Sequence, residues 1–325
     1  MKCGSFLLFL AASCSACAAV AAQSQSYPTR PIRVIAAQSA GSSLDTLVRI
    51  VTPRISELIG QQLVIDNRGG AGGTIGIEMV ARSAPDGYTA LVGASSSMIV
   101  SRFSYKSLPF DVLKDFDAVS NIVNADAVLA THPSLPVKTV KELVALAKAQ
   151  PGKLNMSSAG VGSSSHLAGV MFTTLAGINS VHVPYKGGGP MAAAVIANES
   201  QWCIAPAAAL VGHIKSGRLR ALAISSKQRS ALLPELPTVD EAGVPGYEYN
   251  SWNGFFVPKG TPRAIINKLH AAIQKALADP EVVKAYAAQG LTPSGSESPE
   301  AFARYFRGDF ERIARLVQVA GIKPE

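Results

Sequence analysis

Apolar residues along the chain alternate between short β-rich runs and stretches that recur at helical spacing. The strand-like run IRVIAA, which begins at Ile32, is followed by a helical pattern over 43–59 that Pro53 is expected to kink. QLVIDN then leads through RGGAGG into a helix over 74–82, and PDGYTALVG supplies a turn and another strand. Strands and helices in alternation predict a parallel sheet that is covered on both faces.

The same rhythm starts again near residue 126, without an obvious repeat of the residues themselves. The predicted strands are AVLATH, KLNMSS, SVHVPY, the run over 202–205 and LRALAIS. The predicted helices between them span 140–149, 164–176, 189–197 and 207–216. A second α/β unit of the same kind is therefore expected.

The C-terminal part carries helices without a sheet of its own. A segment rich in turn-forming residues precedes helical patterns over 262–277, 280–288 and 298–320. These helices must pack on existing structure, so the chain is expected to leave the first domain near 130 and return near 250.

This path predicts two α/β lobes with a cleft between them. The first lobe is discontinuous and comprises residues 27–130 plus 250–325, and the second comprises residues 131–249.

The first 22 residues have the pattern of a secretory signal peptide. Lys2 precedes the apolar run FLLFLAA, and the small residues VAA end at Ala22, where cleavage is expected. The apolar core is too short to favour a membrane span. Two alternatives remain open: an uncleaved N-terminal anchor, and lipidation at Cys14 or Cys17, because LAASC loosely resembles a lipidation box.

Composition is that of an ordinary globular protein, and the cysteine count bears on where it is located. The 325 residues are 48% hydrophobic and 16% charged, enough to bury a sizeable core in two domains. Cleavage after residue 22 leaves Cys203 as the one cysteine, so no internal disulfide can form, which suits a bacterial periplasmic protein. Cys203 lies between Trp202 and Ile204 and is interpreted as buried core. A monomer is expected.

Positive charge is spread thinly along the chain. The formal net charge of +8 falls to +7 in the exported form, because Lys2 leaves with the signal peptide. Lys and Arg occur singly and form no basic block with aromatic residues, which argues against a nucleic-acid partner. A diffuse positive field attracts small anions.

Four loops made mainly of Gly, Ser and Ala follow predicted strands and precede predicted helices. They are AAQSAGSSLDT, VGASSSM, SSAGVGSSSHL and PYKGGGP. Such loops expose N–H groups at helix N-termini, which suit phosphates and carboxylates. Any one loop is equally compatible with a simple turn, but four at equivalent places favour a ligand site. Three or four hydrogen bonds of roughly 1.5–3 kcal/mol to a charged acceptor could supply the roughly 8 kcal/mol of micromolar affinity, before the costs of association.

Cofactor and metal chemistry find no support in the sequence. The glycines of GGAGGTIG do not match G-x-G-x-x-G, and G-x-x-x-x-G-K-[ST] is absent, so nucleotide binding is not expected. The dispersed histidines have no metal-ligand spacing. These are His132, His182, His213 and His270.

Ser165 and His166 suggest a nucleophile beside its base, but adjacent helical residues point about 100° apart. G-x-S-x-G is absent as well. His166 is instead expected to donate to a ligand or cap its helix, and a structural role is equally compatible with the sequence.

The sequence resembles the Bug-type extracytoplasmic solute receptors, the substrate-binding proteins of tripartite tricarboxylate transporters. The resemblance runs from Tyr27 to the C-terminus and rests on NRGGAGGTIG, APDGYTALVG, KLNMSSAGVGSSSHLAG, VHVPYKGGGP and LPTVDEAGVPGYE, among other stretches. It implies a type II periplasmic-binding-protein fold, with two α/β lobes joined by a hinge and closing on a small carboxylate, and a membrane permease as partner.

The resemblance also implies a set of ligand-binding residues. In the first lobe these are Gln38, Ala40, Gly41, Ser42, Ser43, Asp45, Ala94, Ser95 and Ser96. In the second lobe they are Gly160, Val161, Gly162, Ser163, Ser164, His166, Tyr185, Lys186 and Gly187.

Two stretches depart from the family pattern. The first loop carries Gln38 where a proline- and glycine-rich segment is usual, and ESQWCIAPAAAL has Gln201 and Ala205 where many relatives carry aspartate. The loss of negative charge favours an anionic or non-aminated ligand.

The expected function is a periplasmic receptor that captures a small carboxylate, which is an organic acid, an amino acid or an aromatic acid, for a transporter. Two alternatives remain open. One is a receptor that presents its ligand to a membrane sensor, and the other is an exported enzyme with His166 or Lys186 in an acid–base role.

Overall fold

The computed structural model describes residues 27–230 and 233–323. The predicted signal peptide and the two candidate lipidation cysteines lie outside these residues. No helix in the described ranges has both the length and the apolar character needed to span a membrane.

Eleven strands occur in the described residues. They are β1 (Ile32–Ala36), β2 (Leu63–Asn67), β3 (Thr89–Ala94), β4 (Phe116–Ala125), β5 (Ala127–Thr131), β6 (Asn155–Ser158), β7 (Val181–Pro184), β8 (Trp202–Pro206), β9 (Arg220–Ile224), β10 (Ser251–Pro258) and β11 (Thr292–Pro293).

Ten α-helices accompany the strands in the same ranges. They are α1 (Ser43–Ile59), α2 (Thr74–Ala81), α3 (Ser101–Ser104), α4 (Val140–Ala149), α5 (Ser164–Ala176), α6 (Gly188–Ile196), α7 (Ala207–Lys215), α8 (Arg263–Leu277), α9 (Pro280–Ala288) and α10 (Pro299–Val319). A 3₁₀ turn (Ala71–Gly73) precedes α2, and a π-helical turn (Ser96–Val100) precedes α3.

The strands form two sheets, which confirms the prediction of two α/β lobes. The first sheet has the order β11-β4-β10-β3-β1-β2, and the second has the order β7-β6-β8-β5-β9. Each sheet combines parallel and antiparallel pairs: β1 pairs in parallel with β2 and β3, whereas β10 is antiparallel to β3 and β4. The antiparallel pairs are those of β10 with β3 and β4, of β11 with β4, and of β5 with β8 and β9. Sequence periodicity did not distinguish them from parallel pairs.

Strand β10 corrects one interpretation of the sequence. The sequence pattern predicts a segment rich in turns here, but β10 lies between β3 and β4 in the first sheet. Its residues after Asn253 are buried on both faces. Glycine and asparagine within this run obscured the strand pattern.

The chain passes between the sheets twice. Asp126 alone separates β4 of the first sheet from β5 of the second, and the return path runs from β9 to β10. The two passages are hydrogen-bonded together, because the Ser225 amide donates to Ala127 O (2.8 Å) and the Ala127 amide donates to Ser225 Oγ (2.9 Å). The division into lobes at 130/131 and 249/250 stays a prediction, and strand pairing places the first change of sheet at Asp126.

One apolar cluster extends from the first sheet to the second. It contains Leu91 and Phe256 of the first sheet, Leu129 and Trp202 of the second, and Phe302 of α10. Helix α10 therefore lies against both halves of the molecule. Separate clusters cover the opposite faces of the two sheets.

A buried polar group fixes α10 to the return passage. The indole N–H of Trp252 donates to Asp309 Oδ2 at 2.7 Å, and Arg312 forms an ion pair with the same carboxylate. Arg312 also donates to the carbonyl of Glu248 at 3.1 Å and lies over the ring of Tyr249. Trp252 and Asp309 are both buried. Their mutual hydrogen bond gives each buried polar group the partner that it needs.

Gly254 is required by close packing. A Cβ at this position would lie 2.2 Å from Cζ of the buried ring of Phe302, so we expect Gly254→Ala to lower the free energy of unfolding by about 1–3 kcal/mol. Gly308 on α10 provides the control, because a Cβ there meets nothing within 4 Å. Gly308→Ala should raise stability by up to about 1 kcal/mol through helix propensity. Equilibrium urea denaturation measures both, and equal stability of the two variants would contradict the packing argument.

Candidate functional site

Two adjoining cavities lie where loops of the two sheets face each other. The first has a volume of about 570 Å³ and is bounded by loops of the first lobe and by residues 161–163 of the second. The second has a volume of about 270 Å³ and reaches the passages between the sheets at Ala125 and Ser251. Gln38 and Ser96 line both cavities, so the two form one cleft.

Ten of the predicted site residues line this cleft. Those on the first cavity are Gln38, Ser42, Ser96, Val161, Gly162 and Ser163, and those on the second are Gln38, Ser43, Ala94, Ser95, Ser96 and Ser164. The other predicted residues lie outside both linings. They are Ala40, Gly41, Asp45, Gly160, His166, Tyr185, Lys186 and Gly187.

Sequence reasoning missed part of the lining. The first cavity also contains Tyr105 and four glycines of the turn before α2, and the second contains residues of β10, the start of α7 and the end of α9. The glycine turn and β10 carry no functional-residue signature. The beginning of α7 after β8 was recognisable as one more strand-to-helix junction.

None of the described residues that line the cleft is charged. Its polar groups are serine and threonine hydroxyls, carboxamides, a tyrosine and backbone amides. An anion in this cleft is therefore bound by neutral donors and by helix N-termini, without an arginine or lysine in contact.

The first and third loops fold into the same local structure. GSSLD, beginning at Gly41, leads into α1, and GSSSH, beginning at Gly162, leads into α5. The φ angles of the two glycines are +78° and +75°, in the left-handed region that glycine enters without strain. Both turns close with a 3.2 Å bond between backbone groups, from Ser42 N to Ser39 O and from Ser163 N to Gly160 O.

Each of these serines is the N-cap of its helix. Ser42 Oγ accepts from the amide of Asp45 at 3.2 Å, and Ser163 Oγ accepts from the amide of His166 at 3.3 Å. Serine is a preferred N-cap because its oxygen satisfies one amide that the helix itself cannot. The cap accepts from the amide of the third helical residue and leaves the amides of the first two helical residues unpaired among the described residues.

The third residue of each helix holds the preceding glycine. Asp45 Oδ2 accepts from the amide of Gly41 at 2.9 Å, and His166 Nδ1 accepts from the amide of Gly162 at 3.1 Å. The Gly162 amide thus donates to the protein itself and is not available to a ligand. A ligand at this loop must bind other amides of the loop.

Within residues 40–45 of the first loop and residues 161–166 of the third, three amides each have no acceptor among the described residues. They are those of Ala40, Ser43 and Leu44 in the first loop and those of Val161, Ser164 and Ser165 in the third. Val161 borders the first cavity and Ser43 and Ser164 border the second, so unpaired donors from both lobes lie beside the same cleft.

Asp45 keeps its negative charge without exposing it to the cleft. Hydrogen bonds from the Arg49 guanidinium and from the Gly41 amide hold the pKa of this carboxyl below its usual range, although burial acts in the opposite direction. The ion pair with Arg49, at 2.9 Å, compensates the charge that would otherwise repel an anion.

His166 fills the equivalent position as a neutral acceptor. Its ring stacks on that of His182, with centroids 3.9 Å apart, and His182 Nε2 lies 2.6 Å from Ser158 Oγ. Burial, and then the charge of His182, lower the pKa of His166 to about 4. Burial lowers the pKa of His182 as well.

Ser165 has no hydrogen bond to His166. Its Oγ accepts from the amide of Ala159 at 2.8 Å and lies 3.0 Å from Ser163 Oγ. The side chain therefore stabilises the loop, and the described residues around it show no nucleophile–base pair. Among the described residues no group of three or more His, Cys, Asp and Glu side chains could hold a metal ion.

The fourth predicted loop is hydrogen-bonded to the third and lies outside both linings. The amide of Tyr185 donates to Ser158 O and that of Gly187 donates to Ala159 O, so this loop supports residues 158 and 159. The start of α7 borders the cleft instead, through Pro206 and Ala208. Cys203, on β8, is fully buried, as the sequence predicted.

Two α/β lobes that enclose a cleft at their strand-to-helix loops define the class of periplasmic solute-binding proteins. Similar solved structures support this fold. The periplasmic binding protein BugD is 30% identical, with a TM-score of 0.71 over 92% of this chain and all of its own. An R. palustris protein, Rpa4515, with adipate is 32% identical, with a TM-score of 0.76 over 92% of this chain and all of its own.

The chain belongs to the tripartite tricarboxylate transporter receptor family, whose model matches residues 47–322. Protein BugT of Bordetella pertussis is 36% identical over 284 residues, which cover 87% of each chain. A UPF0065 protein from the tcbD-tcbE intergenic region of Pseudomonas sp. (strain P51) is 38% identical over 85% of this chain and 82% of its own. The resemblance stated from the sequence is confirmed.

The stacked histidines make a prediction about titration. His182→Gln removes the charge that opposes protonation of His166, so the pKa of His166 should rise from about 4 but stay below 6.5, because burial remains. NMR titration of the histidine rings measures it, with His132→Gln, outside the cleft, as the control. An unchanged midpoint for His166 would show that the rings do not interact.

A second prediction concerns stability and pH. Because the pKa of His166 is lower in the folded protein than the ordinary 6.5, its contribution to stability is complete above about pH 6.5 and is lost as the pH falls toward 4. The free energy of unfolding should decrease over that range, and His166→Asn, which keeps an acceptor for Gly162 but does not titrate, should flatten the decrease. Urea denaturation at several pH values measures both proteins, and equal slopes would contradict the assignment.

Proposed function

We propose that the protein is a periplasmic receptor that captures a small carboxylate for a tripartite transporter. The observation that carries this proposal is the repeated helix cap on two facing loops, which leaves unpaired amides of both lobes beside one cleft. Donors of this kind suit a carboxylate, and each hydrogen bond to a charged acceptor contributes roughly 1.5–3 kcal/mol.

Ligands of similar structures support the carboxylate class. One is the R. palustris protein with adipate, and another is MatC from Rhodopseudomonas palustris with bound malate, which is 28% identical to this chain. Both acids are small dicarboxylates. Both cavities of the present protein are lined, among the described residues, by neutral side chains.

Binding is coupled to closure in this proposal. Donors from the first lobe, such as Ser43, and from the second, such as Ser164, face the same space. A ligand that touches both binds the closed arrangement better than the open one and shifts the population toward it.

The remaining parts of the proposal follow the family. The chain is exported by its N-terminal signal, acts as a monomer and delivers its ligand to membrane permease subunits. No enzymatic step is proposed, because His166 and Ser165 are both engaged in holding the loop.

Isothermal titration calorimetry against a panel of organic acids tests the proposal. The panel contains adipate, malate, succinate, citrate and benzoate, and the uncharged diamide of adipate serves as control. At least one acid should bind with 1:1 stoichiometry and micromolar affinity, and the diamide should not. Absence of binding across the whole panel would refute the proposal.

The amide donors themselves can be removed one at a time. Ser43 and Ser164 are the first residues of α1 and α5, a position that accepts proline without loss of a helical hydrogen bond. The preceding residues, Ser42 and Ser163, already have extended backbones (ψ 165° and 161°), as proline requires. We expect Ser43→Pro and Ser164→Pro to weaken binding of the tightest acid by about 10- to 100-fold.

Alanine variants separate the amide from the hydroxyl. Ser43→Ala and Ser164→Ala keep the N–H group and should retain most of the affinity. Helices α9 and α10 already begin with proline, so the proline variants should unfold at the same urea concentration as the parent protein. Equal affinity of the proline and alanine variants would show that these amides do not bind the ligand.

A further inference from the structure

The second cavity contains side-chain amides that no part of the described protein uses. Gln38, Asn253 and Gln289 border it, and their carboxamides have no hydrogen-bond partner among the described residues. A carboxamide that faces a cleft without a partner is a ready donor and acceptor for a ligand.

Two of these carboxamides extend from fixed backbone. Asn253 lies on β10, where it pairs with Ala94 on one side and with Val123 on the other. The backbone carbonyl of Gln38 accepts from Asn67 Nδ2 at 3.3 Å. Gln289 follows the last turn of α9 and is exposed, so it is held less firmly.

Helix N-termini favour an anion in the second cavity, although none of the described residues that line it is charged. Ser43, Ser164 and Ala208, which border it, belong to the first turns of α1, α5 and α7. The N-terminus of a helix carries a partial positive charge. The N-termini of α1, α5 and α7 therefore disfavour a cationic group in this cavity and attract an anionic one. The described residues of the lining include no carboxylate that would compensate an ammonium group.

We propose that Gln38 and Asn253 determine specificity by binding a second, oxygen-bearing end of the ligand in this cavity, so that the receptor selects dicarboxylates over monocarboxylates and rejects amino acids of equal length. The inference rests on the proposed function. A site built to hydrogen-bond an oxygen discriminates strongly against an analogue that lacks it, because the polar groups of the site are then left unpaired.

Two homologous series isolate the second end of the ligand. Adipate, hexanoate and 6-aminohexanoate share six carbons, and succinate, butyrate and 4-aminobutyrate share four. Within the series that fits the cleft, calorimetry should show the diacid binding about tenfold or more tightly than the monoacid, and the amino acid binding most weakly.

Near-isosteric variants test whether Gln38 and Asn253 cause this order of affinities. Gln38→Met and Asn253→Leu remove the carboxamides, so each should weaken diacid binding by about tenfold and leave monoacid binding within about twofold. Gln150→Met, on the exposed end of α4 and outside both cavities, is the matched control and should change neither. The change in the diacid-to-monoacid ratio is the readout, because a merely structural defect weakens both ligands alike.

The outcomes separate the two proposals. An amino acid that binds as tightly as the diacid, or variants that leave the ratio unchanged, overturn the assignment of Gln38 and Asn253. If neither series binds but another acid of the panel does, the proposed function survives and this inference fails. If no acid binds, the proposed function fails with it.

Discussion

The first amides of an α-helix have no carbonyl to bind, and this constraint shapes the whole cleft. Each of two facing helices is capped by a serine whose oxygen accepts from the third helical amide. The side chain of that third residue, Asp45 or His166, accepts from the amide of the preceding glycine and stabilises a tight turn. What remains is a small set of oriented donors at the N-terminus of each helix. The lobes, the sheets and the passages between them hold those two sets opposite each other.

Asp45 and His166 accept from the preceding glycine amide with different chemistry. Asp45 is an ionised acceptor whose charge Arg49 compensates, and His166 is an acceptor kept neutral by burial against His182. Either solution supplies the bond to the glycine amide and leaves no uncompensated negative charge beside the cleft. Replacing one acceptor by the other without its partner would change the local field, because an unpaired carboxylate at the start of α5 would oppose an anion directly.

Sequence patterns predicted the helices closely, since helical periodicity over 43–59 and 164–176 coincides with α1 and α5. Of the four serine- and glycine-rich loops that they assigned to a ligand site, three border the cleft and PYKGGGP does not. They did not predict β10, whose asparagine and glycine hide the strand pattern, and therefore missed Asn253 and Trp252. GSSLD and GSSSH are similar in sequence. Their equivalence becomes evident only from the hydrogen bonds, which show that Asp45 and His166 have the same role. Long-range pairing and side-chain partners are not encoded in local spacing.

The single residue between β4 and β5 has a mechanical consequence. Ala125 ends β4, which enters this crossing, and Ser251 begins β10, which follows the return path. The second cavity, which both residues border, therefore lies next to the two passages between the sheets. In a rotation about a pivot, displacement grows with distance from it. In the proposed closure about these passages, a difference of a fraction of an ångström at the innermost atoms of the ligand becomes a much larger difference at the outer edge of the cleft, where the proposed permease partner would contact the receptor.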